Sequence, residues 1–281
     1  MRLSSVQHAE VPQAPDGEIA VEVSELNYAT LDRKGRRIDI LQNVDLRVRE
    51  GEFIAIVGPS GCGKSTLLNI IAGLKPYADG KVKVLGAPAH GIDPDVGYMF
   101  QTHALLPWRT VRRNVELPLE LTGVPRVERL HRATEILRQM GLAGFEDHYP
   151  AEISGGMRQR VSLARTLVAG PRLLLMDEPF GALDAQTKLL IQELFIEYWE
   201  RHRRTVIFVT HDLAEAISMA DRVLVMSARP ACFKAEYMVG LPRPRSLADV
   251  RSTRQFTEFW DRIWDDLRQE AAVAMMGRAK Q

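Results

Sequence analysis

Apolar residues fall into three patterns along this chain, and each pattern predicts a different element. In residues 18–28 and 40–48 they alternate with polar ones, as half-buried antiparallel strands do. In residues 53–57, 172–176, 205–210 and 222–226 they run almost without interruption, the mark of strands in a sheet covered on both faces. In residues 127–140 and 154–168 they recur at helical spacing among helix formers. Helical segments separate the continuous strands, so the core reads as α/β with a parallel sheet, beside an antiparallel β part near the N-terminus. Between about residues 103 and 168 the strand signal stops, which predicts a helical lobe inserted into that core. Turns are expected at Lys34-Gly35 and Glu50-Gly51. Beyond Met226, Pro230, Pro242 and Pro244 keep residues 227–250 extended or looped. A last helix follows, with Phe256, Phe259, Trp260, Ile263, Trp264 and Leu267 on one face and Glu258, Asp261, Asp265 and Arg268 on the other.

Composition narrows the class. With 46% hydrophobic and 26% charged residues, the chain is an ordinary globular sequence rather than a disordered one. Its 37 basic and 36 acidic residues leave a net charge of +1, which argues against nucleic acid as the main partner. Cys62 and Cys232 are the only cysteines, too few for a disulfide framework or a cysteine-rich zinc site, and a reducing compartment is expected. Residues 1–20 mix Gln7, His8, Glu10, Asp16 and Glu18 and have no apolar stretch of the kind that secretion needs. No segment approaches the ~18 apolar residues of a membrane span. The chain is therefore expected in the cytoplasm, and any membrane connection comes through a partner.

Chemistry enters at Gly58-Pro59-Ser60-Gly61-Cys62-Gly63-Lys64-Ser65-Thr66, which fits G-x-x-x-x-G-K-[ST] between a predicted strand and a predicted helix. Glycines let backbone N–H groups converge on phosphates, and the helix that follows adds its positive end. Lys64 is a mobile charge for the outer phosphates, and Ser65 offers a hydroxyl to Mg²⁺. The apolar strand 173–176 ends in Asp177 and Glu178. On the strand alone, two readings stand: the acids cap the turn at Pro179-Phe180-Gly181, or they hold a metal and activate a water. The phosphate loop upstream favours the second, with Asp177 on Mg²⁺ and Glu178 as base.

Ile153-Ser154-Gly155-Gly156-Met157-Arg158-Gln159-Arg160 opens a helix ahead of those acids, and it resembles the signature motif of ATP-binding cassette (ABC) ATPases. Alone, Ser-Gly-Gly before a helix is an N-cap and a tight turn. Here it stands in that family's order of phosphate loop, glutamine (Gln101), signature, paired carboxylates and histidine (His211), and the likeness spans roughly residues 20–230. The resemblance implies a phosphate-loop NTPase core with an inserted helical subdomain at about 103–168, an ATP-binding domain over 18–250 and a C-terminal helix over 251–281. It also implies ATP and Mg²⁺ as cofactors. Tyr28 then stacks on adenine, residues 58–66 hold the phosphates, and Ser65 and Gln101 reach Mg²⁺ with Asp177 in support. Glu178 is the implied general base, His211 contacts the γ-phosphate, and Asp184 communicates across a dimer. Ser154, Gly155 and Gly156 face the γ-phosphate of the opposite subunit, so two copies of the chain, or this chain and a homologous one, pair head to tail. Ile153 and Met157 depart from the leucine and glutamine usual at the ends of the signature.

The run Thr102 to Val115, with Ala104-Leu105-Leu106-Pro107-Trp108, is apolar and aromatic where the chain enters the helical lobe. It reads either as packing of that lobe or, by resemblance, as the surface that receives a multi-span membrane permease. The Ala-Leu-Leu-Pro-Trp run, the ending Ser227-Ala228-Arg229-Pro230, the segment Leu241-Pro242-Arg243-Pro244-Arg245 and the acidic-aromatic last helix are similar to the nitrate, sulfonate and taurine importers. That similarity implies a peripheral subunit on the cytoplasmic face of the membrane, with an external solute-binding protein as an indirect partner and a small anionic solute. The 70 residues after His211 leave no expected room for an appended regulatory barrel or a fused membrane domain. Arg201-His202-Arg203-Arg204 closes the predicted helix 187–199, where cations oppose the negative helix end, so it reads as a solvated face rather than a nucleic-acid site. The competing readings are a DNA- or ribosome-associated ABC ATPase, which usually has twin cassettes or a basic arm, and a small-molecule kinase, which has no Ser-Gly-Gly signature.

Overall fold

The computed structural model describes residues 17–278. The expectation that no secretion signal precedes the fold falls mostly on residues 1–16, outside the described residues. Two sheets stack through one core strand set. The first is antiparallel, ordered β2-β1-β4-β5, with β1 Ile19–Leu31, β2 Arg37–Arg49, β4 Asp79–Val84 and β5 Ala87–Pro88. The second runs β10-β9-β3-β8-β7-β6, from β10 Phe233–Met238 through β9 Arg222–Met226, β3 Phe53–Val57, β8 Thr205–Val209 and β7 Leu173–Asp177 to β6 Val96–Met99. All its pairs are parallel except β9 with β10.

The continuous apolar runs have the expected cause. Phe53, Ala55 and Val57 of β3 enter one core while Ile54 and Ile56 enter the other, and β7, β8 and β9 alternate in the same way. The helices from Gly155–Leu167 to Arg254–Arg278 cover the first face, and the helix Lys64–Ile71 with the antiparallel sheet covers the second. Among the described residues no strand lies between β6 and β7. That stretch holds α2 Val111–Leu121, α3 Arg126–Gln139 and α4 Gly155–Leu167. Helix α2 falls within the expected helical lobe but outside the two stretches with helical apolar spacing, and Pro118 sits inside it. Strand β4 also went unread: only Val82 and Val84 are apolar in it, and its pairing with β1 is what makes it a strand. Both expected turns form. Gly35 and Gly51 have φ of +75° and +73°, and Asp32 Oδ1 accepts from the Lys34 and Arg36 N–H groups.

The remaining helices are α1 Lys64–Ile71, α5 Ala185–His202, α6 Leu213–Met219, α7 Leu247–Arg251 and α8 Arg254–Arg278. Most of the expected apolar face of α8 packs inward, but Trp264 is 52% exposed. The inward stripe is Phe256, Trp260, Ile263, Leu267 and Glu270, at alternating spacings of four and three, with Trp260 and Leu267 half-buried, and Trp264 falls to its side. Glu270 is buried because its Oε2 accepts from the Ala228 N–H at 2.9 Å, with Lys234 Nζ at 3.4 Å from Oε1.

The proline-rich arm is pinned by its arginines. Arg243 lies over the Trp199 ring at 4.2 Å and donates to Asp221 at 2.8 Å; Arg245 donates to the Ala220 and Leu241 carbonyls at 2.6 and 2.9 Å. Burial lowers the Arg245 guanidinium pKa to about 10. At the end of α5, Arg203 takes a left-handed C-cap and stacks 4.7 Å from Trp199, whose Nε1 donates to Arg204 O at 2.6 Å. Trp199 also meets Phe53 edge-on at 5.4 Å, joining β3, α5 and the arm. Trp199→Ala is expected to cost ~3–5 kcal/mol by chemical denaturation; a loss under ~1 kcal/mol would show that the arm packs without it.

Candidate functional site

The phosphate loop, residues 58–66, connects the carboxyl end of β3 to α1. In open parallel sheets ligands sit outside the carboxyl ends of the strands, where neighbouring strands diverge in chain order. Strand β3 lies between β8 and β9, neither adjacent to it in sequence, so the loop opens at such a point. Its glycines are required by space as well as conformation. A Cβ on Gly58 would come within 2.9 Å of Met226 O; Gly63, at φ +134°, would press one within 2.9 Å of Leu41 Cδ2. Gly63 is the N-cap of α1 and gives no side-chain cap, so the first-turn N–H groups have no capping side chain. Lys64 is 5% exposed and folds back along the loop, donating from Nζ to Gly58 O at 2.9 Å and Pro59 O at 3.1 Å. Cys62 is buried and burial pushes its thiol pKa up, so it packs the loop rather than reacting.

Strand β7 ends beside this loop and delivers the two acids. Ser65 Oγ donates to Asp177 Oδ1 at 2.8 Å. Burial raises the Asp177 pKa, the Ser65 bond opposes that, and the Glu178 charge adds to it. Burial, together with the neighbouring Asp177 carboxylate, pushes the pKa of the Tyr98 phenol, on β6, up. Glu178 takes φ +46°, a left-handed backbone unusual for a residue with a Cβ. Its N–H donates to Val209 O on β8 at 2.9 Å, and its Oε2 accepts from His211 Nδ1 at 3.1 Å and Gln101 Nε2 at 3.4 Å. Five residues named from the sequence therefore meet at the mouth of the loop: Ser65, Gln101, Asp177, Glu178 and His211.

The other named residues lie elsewhere. Ser154 caps α4, its Oγ accepting from Met157 N at 3.2 Å, and Gly155 and Gly156 open that helix. A Cβ on Gly156 would fall 2.4 Å from Thr187 Cγ2, so the signature packs directly on the start of α5. Asp184 caps α5 by accepting from Thr187 N at 3.0 Å, and that N–H holds its carboxyl below the usual carboxylate range. Signature and Asp184 thus share Thr187. Tyr28 is half-buried, with Lys75 Nζ 5.1 Å from its ring centroid and 3.3 Å from its Oη. Its strand partner Leu41 is the residue that a Cβ on Gly63 of the loop would meet, while Lys75 follows α1. Tyr98 and Gln159 were missed. Tyr98 becomes visible only through the β6–β7 pairing, whereas Gln159 carried a signal, a polar residue on the apolar stripe of the signature helix.

A loop of this build at the switch point of a parallel sheet, with a hydroxyl, a carboxylate and a second acid at its mouth, defines a phosphate-loop nucleotide-binding α/β protein. The profile described as ABC transporter matches residues 41–181. Relatives include the nitrate import ATP-binding protein of Synechocystis, 44% identical over 79% of this chain and 83% of that protein. The taurine import ATP-binding protein of Rhizobium johnstonii is 43% identical over 82% and 90%. Among solved structures, a dimeric post-hydrolysis ATP-binding cassette bound to ADP and Pi superposes with a TM-score of 0.69 at 34% identity, covering 79% of this chain and 100% of that one. The chain belongs to the ABC transporter family, whose cassettes bind and hydrolyse ATP.

Gly63→Ala puts a methyl against Leu41 and Ile40 in a backbone that L residues avoid. Binding of a fluorescent ATP analogue is expected to fall at least ~10-fold, a loss of ~1.4 kcal/mol or more. Unchanged affinity would mean that the loop need not keep this shape.

Proposed function

We propose that this chain is the energy-coupling subunit of an importer for a small, anionic solute of the nitrate, sulfonate or taurine type. The observation that carries the chemistry is the meeting of Ser65, Asp177, Gln101, Glu178 and His211 at the mouth of the phosphate loop. In this reading residues 58–66 and Lys64 hold the phosphates, Tyr28 turns to stack on adenine, and His211 contacts the γ-phosphate. Glu178 takes the proton of the attacking water. Its Oε2 faces two donors, so the carboxylate is oriented before substrate arrives.

The donor set also fits Mg²⁺. Ser65 Oγ, the Asp177 carboxylate and the Gln101 amide oxygen are hard oxygen ligands, the type that this ion takes together with substrate phosphates. Among the described residues no group of three or more His, Cys, Asp or Glu could hold a metal alone, so an ion here depends on the nucleotide for the rest of its shell. Bound there, it would neutralise phosphate charge. Lys64 would leave the Gly58 and Pro59 carbonyls for the phosphates.

The chain carries one phosphate loop and one signature, and the signature residues make their contacts with Met157 and Thr187 rather than with the loop. This supports a head-to-tail pair in which Ser154, Gly155 and Gly156 of one copy face the phosphate held by the other, with Asp184 near the seam. Residues 18–250 form the cassette in this reading, and the part from residue 251 onward adds the helix Arg254–Arg278 that covers it. Trp108, 72% exposed, borders an open cleft lined otherwise by Arg109, Thr110, Arg113, Glu120 and Tyr149, which suits a charged seat with one exposed aromatic anchor for a membrane permease. Among the described residues no helix is long and apolar enough to cross a membrane. We place the protein peripherally on the cytoplasmic membrane face, with the solute-binding protein reached only through the permease.

Three measurements test this. Glu178→Gln is expected to keep ATP affinity within about twofold, cut hydrolysis by ~100-fold or more and accumulate a dimer; turnover near that of the unmodified chain refutes the base assignment. Lys64→Ala is expected to weaken ATP binding by ~10-fold or more, and unchanged affinity refutes the phosphate-loop role. Co-purification with a multi-span membrane protein, lost in Trp108→Ala, is expected of an importer subunit. A protein that never leaves the soluble fraction, with ATPase stimulated by nucleic acid, would overturn the transport reading.

A further inference from the structure

The signature helix contains a buried amide to which the site described above assigns no task. Gln159 is 1% exposed, and both ends of its side chain are committed. Its Nε2 donates to the carbonyl of Pro179, and its Oε1 lies 2.5 Å from His103 Nδ1. The orientation is fixed by chemistry. A carbonyl can only accept, so the amide nitrogen must face Pro179, and the amide oxygen must then accept a hydrogen bond from the Nδ1–H of His103.

The Pro179 end bears on Glu178. The left-handed φ of +46° costs a residue with a Cβ on the order of 1 kcal/mol or more, so neighbouring bonds must hold it. One bond runs from Glu178 N to Val209 O. Pro179 has no N–H, which leaves its carbonyl as the polar handle directly after Glu178, and Gln159 grips that carbonyl. The His103 end bears on the chain that leaves β6. Arg165 of the same helix α4 donates to the carbonyls of both His103 and Ala104, at 2.9 and 2.7 Å, and Ala104 itself has φ +45°. Four residues on stands the exposed Trp108. One glutamine on α4 therefore joins the segment leading to Trp108 and the backbone that aims Glu178.

We infer that Gln159 is a positioning residue for hydrolysis, holding the Glu178 carboxylate in line through Pro179 and passing displacements of the His103 segment to it. The inference rests on the reading of Glu178 as general base. A residue acting this way alters the rate of the chemical step and leaves nucleotide affinity alone; one that only packs the core alters stability.

The test uses the full-length chain, with kcat and KM for ATP, affinity for a fluorescent ATP analogue, and a thermal melt. Gln159→Leu fills similar volume without either hydrogen bond and is expected to lower kcat about tenfold, with KM and affinity within about twofold of the unmodified chain. Gln159→Glu keeps an acceptor toward His103 and removes the donor to Pro179; the same kcat loss is expected, and it decides the matter should the leucine variant not fold. A kcat within twofold of the unmodified chain in either folded variant overturns the inference, as does a loss of affinity equal to the loss of kcat. Glu178→Gln, run alongside, separates the two failures. If it hydrolyses ATP normally, the base assignment falls; if it is inactive while the Gln159 variants are not, only the inference falls.

Discussion

Phe53, Ala55 and Val57 of β3 point into one core and Ile54 and Ile56 into the other, so this strand has no side left for water. Its position follows from that: only the middle of a sheet covered on both faces can take such a strand. With β8 and β9 hydrogen-bonded on its two sides, its carboxyl end cannot move independently of theirs. The register with β8, and of β8 with β7, sets Ile56, Val209 and Asp177 level. The phosphate loop, the acids and His211 all leave from that level. Site geometry is a consequence of core packing here, and the loops only complete it.

At the loop mouth each ionic group already has an internal partner. Lys64 is bound to two loop carbonyls, Ser65 to Asp177, and His211 and Gln101 to Glu178. Nucleotide binding in the proposed reading exchanges partners. A charge-assisted hydrogen bond is worth ~1.5–3 kcal/mol, so affinity depends on the difference between phosphate and carbonyl as partners for Lys64, not on the gross attraction. The arrangement keeps a buried lysine satisfied and leaves it close to where it is needed, since the carbonyls that hold it belong to the loop itself.

Much of this was legible in the sequence because it rests on local rules. Uninterrupted apolar runs gave the inner strands, and the glycine spacing with Lys64 and Ser65 gave the loop; the two acids stood out at the end of an apolar strand. What escaped depends on pairing or on context. Strand β4 has two apolar residues and exists through β1, and Tyr98 reaches Asp177 only because β6 lies beside β7. Helix α2 is legible only as part of the helical lobe, and its packing against α3 and α4 accommodates Pro118 inside it. Helical spacing from Trp260 predicts an inward Trp264, but the stripe continues through Ile263 and leaves it outside. Gln159 is the instructive case, since its position on an apolar stripe was visible and its reason was not: the partners that make a buried amide tolerable, His103 and Pro179, lie 56 and 20 residues away.

Net charge bears on how two copies would meet. At +1 the chain has little long-range attraction or repulsion toward its own kind. A head-to-tail pair would then draw its cohesion from whatever sits between phosphate loop and signature. The start of α4, opened by two glycines and capped by Ser154, offers N–H groups and a positive helix end to an anion, and ATP bound in the facing loop brings several negative charges there. An interface held in this way is strong while the γ-phosphate bridges it and weak once hydrolysis has cut the bridge. Turnover at Glu178 would thus release the two copies from each other, and a subunit docked at Trp108 would feel the change through the same helix, α4, that carries the signature.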